Sequence, residues 1–333
     1  IYNEKNTLVL TFNGEIYNYK ELKDELLEAG HKFYTETDSE VIIHGFEEWG
    51  EEVVPKLRGM FAFAIWDREN KSLFIARDPF GIKPLHWTKV GDNFIYGSEI
   101  KSLLAFPTVE RKLNYKMLDN YLSFQYAVPP ETFFEGIYCL MPGHFLWYKD
   151  GEVKIKRYFD PEFHIDENMD LETATAEIEK AFENSVQAHR ISDVEVGCFL
   201  SSGIDSSYVS SYFAGQKAFT VGFDFGEKYN EMSWAKNLSK KIGINHYGKV
   251  ISSDEFWKSI KKVQYHMDQP LADPACIALY FVSKLASEHV KVVLSGEGAD
   301  ELFGGYGIYN EPRVFKTYQK ILPKKFRKFL AKL

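Results

Sequence analysis

A change of pattern near residue 165 constrains this chain more than any other feature. Before it, strand-like stretches follow one another through turns. After it, strands and helices alternate. Turn-joined strands build antiparallel sheets, whereas strand–helix alternation builds a parallel sheet covered on both faces. Two domains of different class are therefore expected, which 333 residues can accommodate.

The first stretch, 1–106, reads as an α+β domain with antiparallel sheets. Thr7–Phe12 has strand composition. Tyr19, Leu22, Leu26 and Ala29 recur at helical spacing before Gly30, and Val41, Ile42, Phe46 and Trp49 do so before Gly50. Met60–Trp66 and Ser72–Ala76 read as strands around a turn at Asp67–Lys71, Phe94–Tyr96 as another strand, and Ser98–Leu104 as a short helix. Residues 107–165 are less regular and rich in proline, with a hairpin signal at Phe145–Tyr148 and Val153–Ile155 around Lys149-Asp150-Gly151. They are read as a connecting region that closes the first domain.

The third stretch, 166–333, opens with a helix near Leu171 whose apolar face carries Ile178, Phe182 and Val186. Strands are expected at Val194–Leu200, Ala218–Phe223, Tyr247–Ile251 and Val290–Leu294. Helices are expected at 205–213, Asn230–Ile242 (closed by Gly243), 253–267 and Ala275–Ser287. This is the α/β parallel-sheet pattern.

Composition narrows the function. A formal charge of −8 argues against nucleic acid as a partner. No run of 18 apolar residues predicts a membrane span, and no charged-then-apolar leader opens the sequence. Cys139, Cys198 and Cys276 form no C-x-x-C and sit in apolar company, so they are read as buried free thiols of a cytoplasmic protein. Position 1 is Ile, and the chain is read as a fragment.

In an open α/β sheet, ligands bind beyond the carboxyl ends of the strands. Three segments fall there: Leu200-Ser201-Ser202-Gly203-Ile204-Asp205-Ser206-Ser207, Gly222-Phe223-Asp224, and Ser295-Gly296-Glu297-Gly298-Ala299-Asp300-Glu301. The first is a small-residue turn entering a helix, which suits an anion; Asp205 then makes sense as a Mg²⁺ ligand beside phosphates. It reads equally as a serine-rich helix cap. The third offers a second metal ligand and a general base, or simply an acidic helix start. In the first stretch, Asn13 and Gly14 could donate to an oxyanion, or form a plain Asn-Gly turn. Thr37-Asp38-Ser39-Glu40 fits a capping box with Thr37 as cap and Glu40 at the third helical position.

Taken together, these segments resemble known families. FNGEIYN (12–18), TDSE (37–40), RGMFAFAIWD (58–67), ARDPFGIKPL (76–85) and GSEIKSLL (97–104) resemble the class II, N-terminal-nucleophile glutamine amidotransferase domain. GCFLSSGIDSS (197–207), FTVGF (219–223) and VLSGEGADELFGGY (293–306) resemble the ATP-pyrophosphatase domain, of adenine nucleotide alpha hydrolase type, of the asparagine synthetases. The resemblance implies that glutamine is hydrolysed in the first domain and that its ammonia passes to the second. There ATP and aspartate give a β-aspartyl adenylate, which ammonia converts to asparagine. It implies Asn13 and Gly14 as oxyanion donors, and Glu15 and Asp38 as holders of the glutamine α-ammonium. It implies Leu200 and Val221 in the adenine pocket, Ser201, Ser202, Gly203, Asp205 and Ser206 in the pyrophosphate loop, and Ser295 and Gly296 on the nucleotide. Asp205 and Asp300 are the implied Mg²⁺ ligands, and Glu297 the base for the attacking ammonia. A homodimer is among the assemblies it admits.

Several departures bear on this reading. The nucleophilic Cys, expected upstream at a processed N-terminus, is absent, so this chain is expected to lack glutaminase activity. The pyrophosphate loop carries Ser202 where Gly is usual, which requires a negative φ there. The segment Asp268–Cys276 has no Arg where some asparagine synthetases bind aspartate. The resemblance also implies a C-terminal part that contributes a catalytic Lys, and the chain is read as stopping before it. An amide ligase acting on another acid, or a nucleotide-binding paralogue without catalysis, are the rival readings. The basic, amphipathic stretch Arg313–Leu333, with Phe315, Phe326 and Leu330, is read as an ordinary surface helix, with a membrane-surface helix as the alternative.

Overall fold

The computed structural model describes residues 1–226, 230–309 and 313–330. They group into two compact units, 1–191 with 254–280, and 192–253 with 281–333.

The first unit contains β1 (Leu8–Ile16), β2 (Gly59–Asp67), β3 (Ser72–Arg77), β4 (His86–Val90), β5 (Asn93–Gly97), β6 (Ile137–Cys139), β7 (His144–Lys149) and β8 (Glu152–Arg157). They form a five-stranded sheet, β1-β2-β3-β7-β8, and a three-stranded sheet, β5-β4-β6, antiparallel throughout. Alternation along the strands explains the layering. Phe61, Phe63 and Ile65 of β2 share one face with Leu8, Leu10 and Ile16 of β1, and bury against α1 (Tyr19–Glu28), α2 (Glu40–Trp49) and α3 (Val53–Lys56). Ala62 and Ala64 share the other face with Leu73, Ile75 and Leu146, and meet Trp87, Phe94 and Tyr96 of the second sheet. All six residues of β3 are buried because helices cover one face and a sheet covers the other. Each large apolar side chain so buried contributes about 1.5–3 kcal/mol. On the far side of the second sheet, Ile100 and Leu103 of α4 (Ile100–Leu104) close a smaller core with Ile137. α5 (Lys116–Phe124) and α6 (Leu171–His189) complete this part of the chain.

The second unit is built on α7 (Ile204–Ser211), α8 (Met232–Ile242), β9 (Val196–Phe199), β10 (Lys217–Phe223), β11 (Asn245–Ile251) and β12 (Val292–Leu294). Its sheet is parallel in every pair and ordered β11-β10-β9-β12. α9 (Ser253–Met267) groups mainly with the first unit, and α10 (Ala275–Ser287) divides between the two. Val282 and Ala286 of α10 pack on the fully buried Phe219 of β10. Gly243 closes α8 at φ +70°, as its position in the sequence predicts. α11 (Ala299–Phe303), α12 (Arg313–Ile321) and α13 (Lys324–Leu330) follow β12. Antiparallel sheets followed by a parallel sheet are the fold classes expected.

Four local expectations are corrected. β1 does not stop at Phe12 but runs to Ile16 in unbroken register with β2, so Asn13-Gly14 is strand and not turn. The ladder prevails because glycines bring the strands close: a Cβ on Gly14 would meet the Met60 carbonyl, and one on Gly59 would meet the Glu15 carbonyl. Thr37–Glu40 is not a capping box. α2 starts at Glu40 with no side-chain cap, and the Glu40 carboxylate instead accepts the N–H groups of Tyr34 at 2.7 Å and Thr35 at 2.8 Å. The basic stretch after Arg313 is two helices, because Pro323 lacks the N–H a continuous helix needs; residues 331–333 lie outside the described residues. Finally, of the thiols only Cys198 is buried; Cys139 and Cys276 are half-buried. The irregular 107–165 stretch supplies β6 to the smaller sheet and the β7–β8 hairpin to the larger.

Candidate active sites

The first site is built on the end of β1, an edge strand. Alternate backbone N–H groups of an edge strand point away from the sheet. Those of Leu10 and Ile16 reach the Ile1 carbonyl at 2.8 Å and the Asp38 carboxylate at 2.7 Å. The Gly14 N–H, of the same parity, therefore points from that outer edge beside Asp38. The side chains of Asn13 and Glu15 are exposed, and Asn13 Nδ2 donates to Ser98 Oγ at 3.1 Å. Two strand residues on, Thr11 Oγ1 lies 3.1 Å from the Tyr96 hydroxyl. Asn13, Gly14, Glu15 and Asp38 are thus drawn to one strand end. Burial pushes the Asp38 carboxyl up, although the Ile16 and Ser39 N–H groups oppose it. Burial, then the charges of Glu15 and Asp78, push the Tyr17 phenol up to about 12.

Behind this strand sits a polar anchor that pattern reading did not assign. Asp78 is fully buried and accepts N–H groups from Phe61 at 3.3 Å, Phe80 at 3.1 Å, Ile82 at 2.9 Å and Lys83 at 2.9 Å. The neighbouring Arg77 guanidinium donates to the carbonyls of Gly81, Lys83 and Leu140, each at 2.7 Å. The Asp-Pro-Phe-Gly order was the available signal, since buried Asp before a Pro/Gly turn commonly satisfies the turn's own N–H groups. No cysteine is suited to nucleophilic attack: burial pushes the Cys198 thiol up to about 12, and raises Cys139 and Cys276 as well.

The second site lies where the parallel sheet reverses direction. The chain runs from β9 to β10 and β11 on one side, then returns to place β12 on the other side of β9. Ligands bind at the carboxyl ends beside such a switch point. The loop 200–203 after β9 and the loop 295–298 after β12 both end there. Gly296 packs directly on the start of α7: a Cβ there would lie 2.8 Å from Asp205 Cβ and 2.8 Å from the Ser206 N. Only a glycine lets the two loops meet.

Within the first loop, Ser201 Oγ lies 2.7 Å from Ser206 Oγ and accepts the Gly203 N–H at 3.0 Å. Ser202 has a negative φ, as its Cβ requires. Its N–H and hydroxyl both donate to Glu231, at 3.1 and 2.7 Å, so a carboxylate engages a donor suited to phosphate. Leu200 is buried and Val221 half-buried in β10, apolar surface next to the loop. Asp224 has a structural place: its carboxylate accepts the Ser253 N–H at 3.1 Å. Ser295 and Glu297 are exposed, and Asp205 and Asp300 half-buried. Glu301 accepts the Tyr306 hydroxyl at 2.8 Å and pushes that phenol up to about 12, with Asp300 and Glu297 adding to the effect. The acids after β12 therefore act as one negative field, which suits a hard divalent cation.

The comparisons agree with both halves. Residues 1–159 match the family model described as glutamine amidotransferase domain, and residues 177–333 match the one described as asparagine synthase. Asparagine synthetase [glutamine-hydrolyzing] 1 of Bacillus subtilis is 42% identical over 98% of this chain and 52% of its own length. A putative asparagine synthetase [glutamine-hydrolyzing] of Mycobacterium tuberculosis is 42% identical over 98% of this chain and 51% of its own. Asparagine synthetase [glutamine-hydrolyzing] 3 of B. subtilis is 33% identical over 90% and 52%. The chain spans about half the length of these relatives. No helix among the described residues is long and apolar enough to cross a membrane. The chain therefore belongs to the glutamine amidotransferase and asparagine synthase families, one in each half.

Proposed function

We propose that this chain is part of a cytoplasmic, glutamine-dependent asparagine synthetase. The observation that carries the proposal is the meeting of a serine-rich loop after β9 with an acidic loop after β12 at the switch point of a parallel sheet. Ser201, Ser202, Gly203 and Ser206 hold the ATP phosphates through hydroxyls, N–H groups and the α7 N-terminus. Leu200 and Val221 face the adenine, and Ser295 and Gly296 border the nucleotide. Asp205 and Asp300 would hold Mg²⁺, which offsets phosphate charge as pyrophosphate leaves; the acidic field around Tyr306 fits that ion. An aspartate carboxylate oxygen attacks the α-phosphorus, and the bond to pyrophosphate breaks. Ammonia then attacks the acyl carbon of the adenylate and AMP departs. Glu297 takes the proton; it is exposed in the free chain, so bound substrates must desolvate it for that role. Asn13 and Gly14 stabilise the oxyanion of glutamine hydrolysis, and Glu15 and Asp38 hold the α-ammonium. The nucleophile for that step is not among this chain's cysteines.

One observation favours a second reading, an amide ligase for another carboxylic acid. Residues 268–276 hold no Arg, and the Asp268 carboxylate is paired with Lys101 at 2.9 Å. The retention of Asp205, Glu297 and Asp300 speaks against a paralogue without catalysis. The full gene product, given ATP, Mg²⁺, aspartate and ammonium, should yield asparagine, AMP and pyrophosphate in equal amounts. Formation of ADP, or amidation of another acid only, would overturn the proposal.

A further inference from the structure

A second set of ionisable side chains, none assigned above, meets in the first unit. Glu4 sits on a tight turn fixed by Asn3, whose side-chain oxygen accepts the Thr7 and Leu8 N–H groups at 2.9 and 3.0 Å. Glu4 Oε1 accepts the Lys32 N–H at 3.0 Å, so the carboxylate is held in place. His31 follows α1, and His44 and Glu47 lie one turn apart on α2. His31 Nδ1 is 3.4 Å from Glu4 Oε1, and His44 Nδ1 is 3.3 Å from Glu4 Oε2. One donor atom from each of Glu4, His31, His44 and Glu47 lies within 4.8 Å of all the others.

Two features distinguish this group from an ordinary cluster of charges. First, both imidazoles turn Nδ1 toward Glu4 and have Nε2 against a further carboxylate: His44 Nε2 is 3.2 Å from the buried Glu40, and His31 Nε2 is 3.3 Å from Glu48. Metal-bound imidazoles are arranged in this way, one nitrogen on the ion and the other N–H on a carboxylate. Second, His44 has no exposed side-chain surface, and its Nδ1 has no hydrogen-bond partner, despite Glu4 nearby; Glu47 Oε2 is likewise buried and unpartnered. Ligands about 2.0–2.1 Å from a tetrahedral centre lie about 3.4 Å apart, and each ring nitrogen stands near that spacing from one of the two Glu4 oxygens, His31 Nδ1 from Oε1 and His44 Nδ1 from Oε2.

We propose that Glu4, His31, His44 and Glu47 form a structural site for a divalent transition-metal ion of zinc type. Two nitrogens and two carboxylate oxygens suit Zn²⁺ and disfavour Mg²⁺, which selects oxygen. Two carboxylates with two neutral imidazoles match the charge of the ion. Lys5, exposed and 3.6 Å from Glu47 Oε1, is free to swing aside. The ion ties the Glu4 turn and the α1–α2 connection to α2, which starts two residues after Asp38.

The test is titration of the chelator-stripped chain with Zn²⁺ by calorimetry and with Co²⁺ by visible absorption. The expected result is one saturable equivalent of Zn²⁺ at this site and intense tetrahedral Co²⁺ bands that Zn²⁺ abolishes. His31→Gln and Glu47→Gln, both at half-buried positions, should each weaken binding at least tenfold. Their metal-free circular dichroism should match the parent, and Asp205→Asn should leave the affinity unchanged. Absence of a saturable equivalent, weak octahedral Co²⁺ bands, or an affinity that neither substitution moves would overturn the assignment.

Discussion

Gly296→Ala is the perturbation whose effect follows most directly from the proposed nucleotide site. The new Cβ would stand 2.8 Å from Asp205 Cβ, 2.8 Å from Ser206 N and 2.9 Å from Asp205 C, against ordinary contacts of 3.4 Å or more. None of these atoms is the tip of a flexible side chain, so the loop and α7 must part by roughly 0.5–1 Å, an overpacking strain of about 1–3 kcal/mol. A domain of this size loses about 2–4 °C of Tm per kcal/mol. The functional cost should be larger, because a misplacement of about 1 Å in a positioning loop lowers a rate by about 100-fold. Gly298→Ala is the contrast. Its φ is +92° but nothing lies within 4 Å of its Cβ direction, so it carries backbone strain without a clash. Melting curves and ATP binding by calorimetry on both variants check this. ATP binding within twofold of the parent for Gly296→Ala, with an unchanged Tm, would refute the claim that the two loops meet to form the site.

Other outcomes follow from the same geometry. Asp78→Asn should lower stability by about 3 kcal/mol, since buried N–H groups lose a charged acceptor; chemical denaturation measures this. Asp38→Asn should separate stability from function. Burial raises the folded Asp38 pKa above its unfolded value, so its contribution is fullest when protonated and is lost as pH rises through the raised value. At neutral pH the neutral amide should therefore not destabilise the fold, while the glutamine KM of the full gene product rises roughly tenfold or more through loss of a charge-assisted contact. Asn13→Ala should leave the Tm within about 1 °C, because the side chain is exposed, and lower glutamine hydrolysis by about 100-fold or more. Asp300→Asn should raise the Mg²⁺ concentration needed for half-maximal ATP-dependent activity by about tenfold or more.

The sequence revealed what depends on local periodicity. The helical spacing before Gly30 and Gly243, the apolar run that becomes β3, and the strand–helix alternation of the second half all read directly into elements. β4 and β6 escaped, because His86–Val90 and Ile137–Cys139 are short and take their strand form from distant pairing, β4 between β5 and β6, and β6 on β4. The Asn13-Gly14 turn and the Thr37–Glu40 cap failed for a shared reason. Each is a sound local preference overridden by a distant partner: β2 for Asn13-Gly14, and the Tyr34–Thr35 backbone for Glu40. The candidate site shows the same division. Small residues entering a helix mark the Ser201–Ser206 loop, but the reach of Glu231 to Ser202 and of Asp38 to Ile16 spans 29 and 22 positions, beyond any spacing rule. The roles of Glu15 and Glu297 rest on resemblance, since exposed acids carry no signature of their own. His31 and His44 carried no motif, because their meeting depends on a turn at Glu4 and on the angle between α1 and α2.

The central claim is that the loops after β9 and β12 activate a carboxylate by adenylation, with aspartate as the acid. Exchange of labelled pyrophosphate into ATP by the full gene product, in the presence of Mg²⁺ and without any ammonia source, isolates that half-reaction. Exchange that depends on aspartate and disappears with Asp205→Asn is the predicted result. Exchange that ignores aspartate but responds to another acid, or no exchange with any acid, would contradict the account.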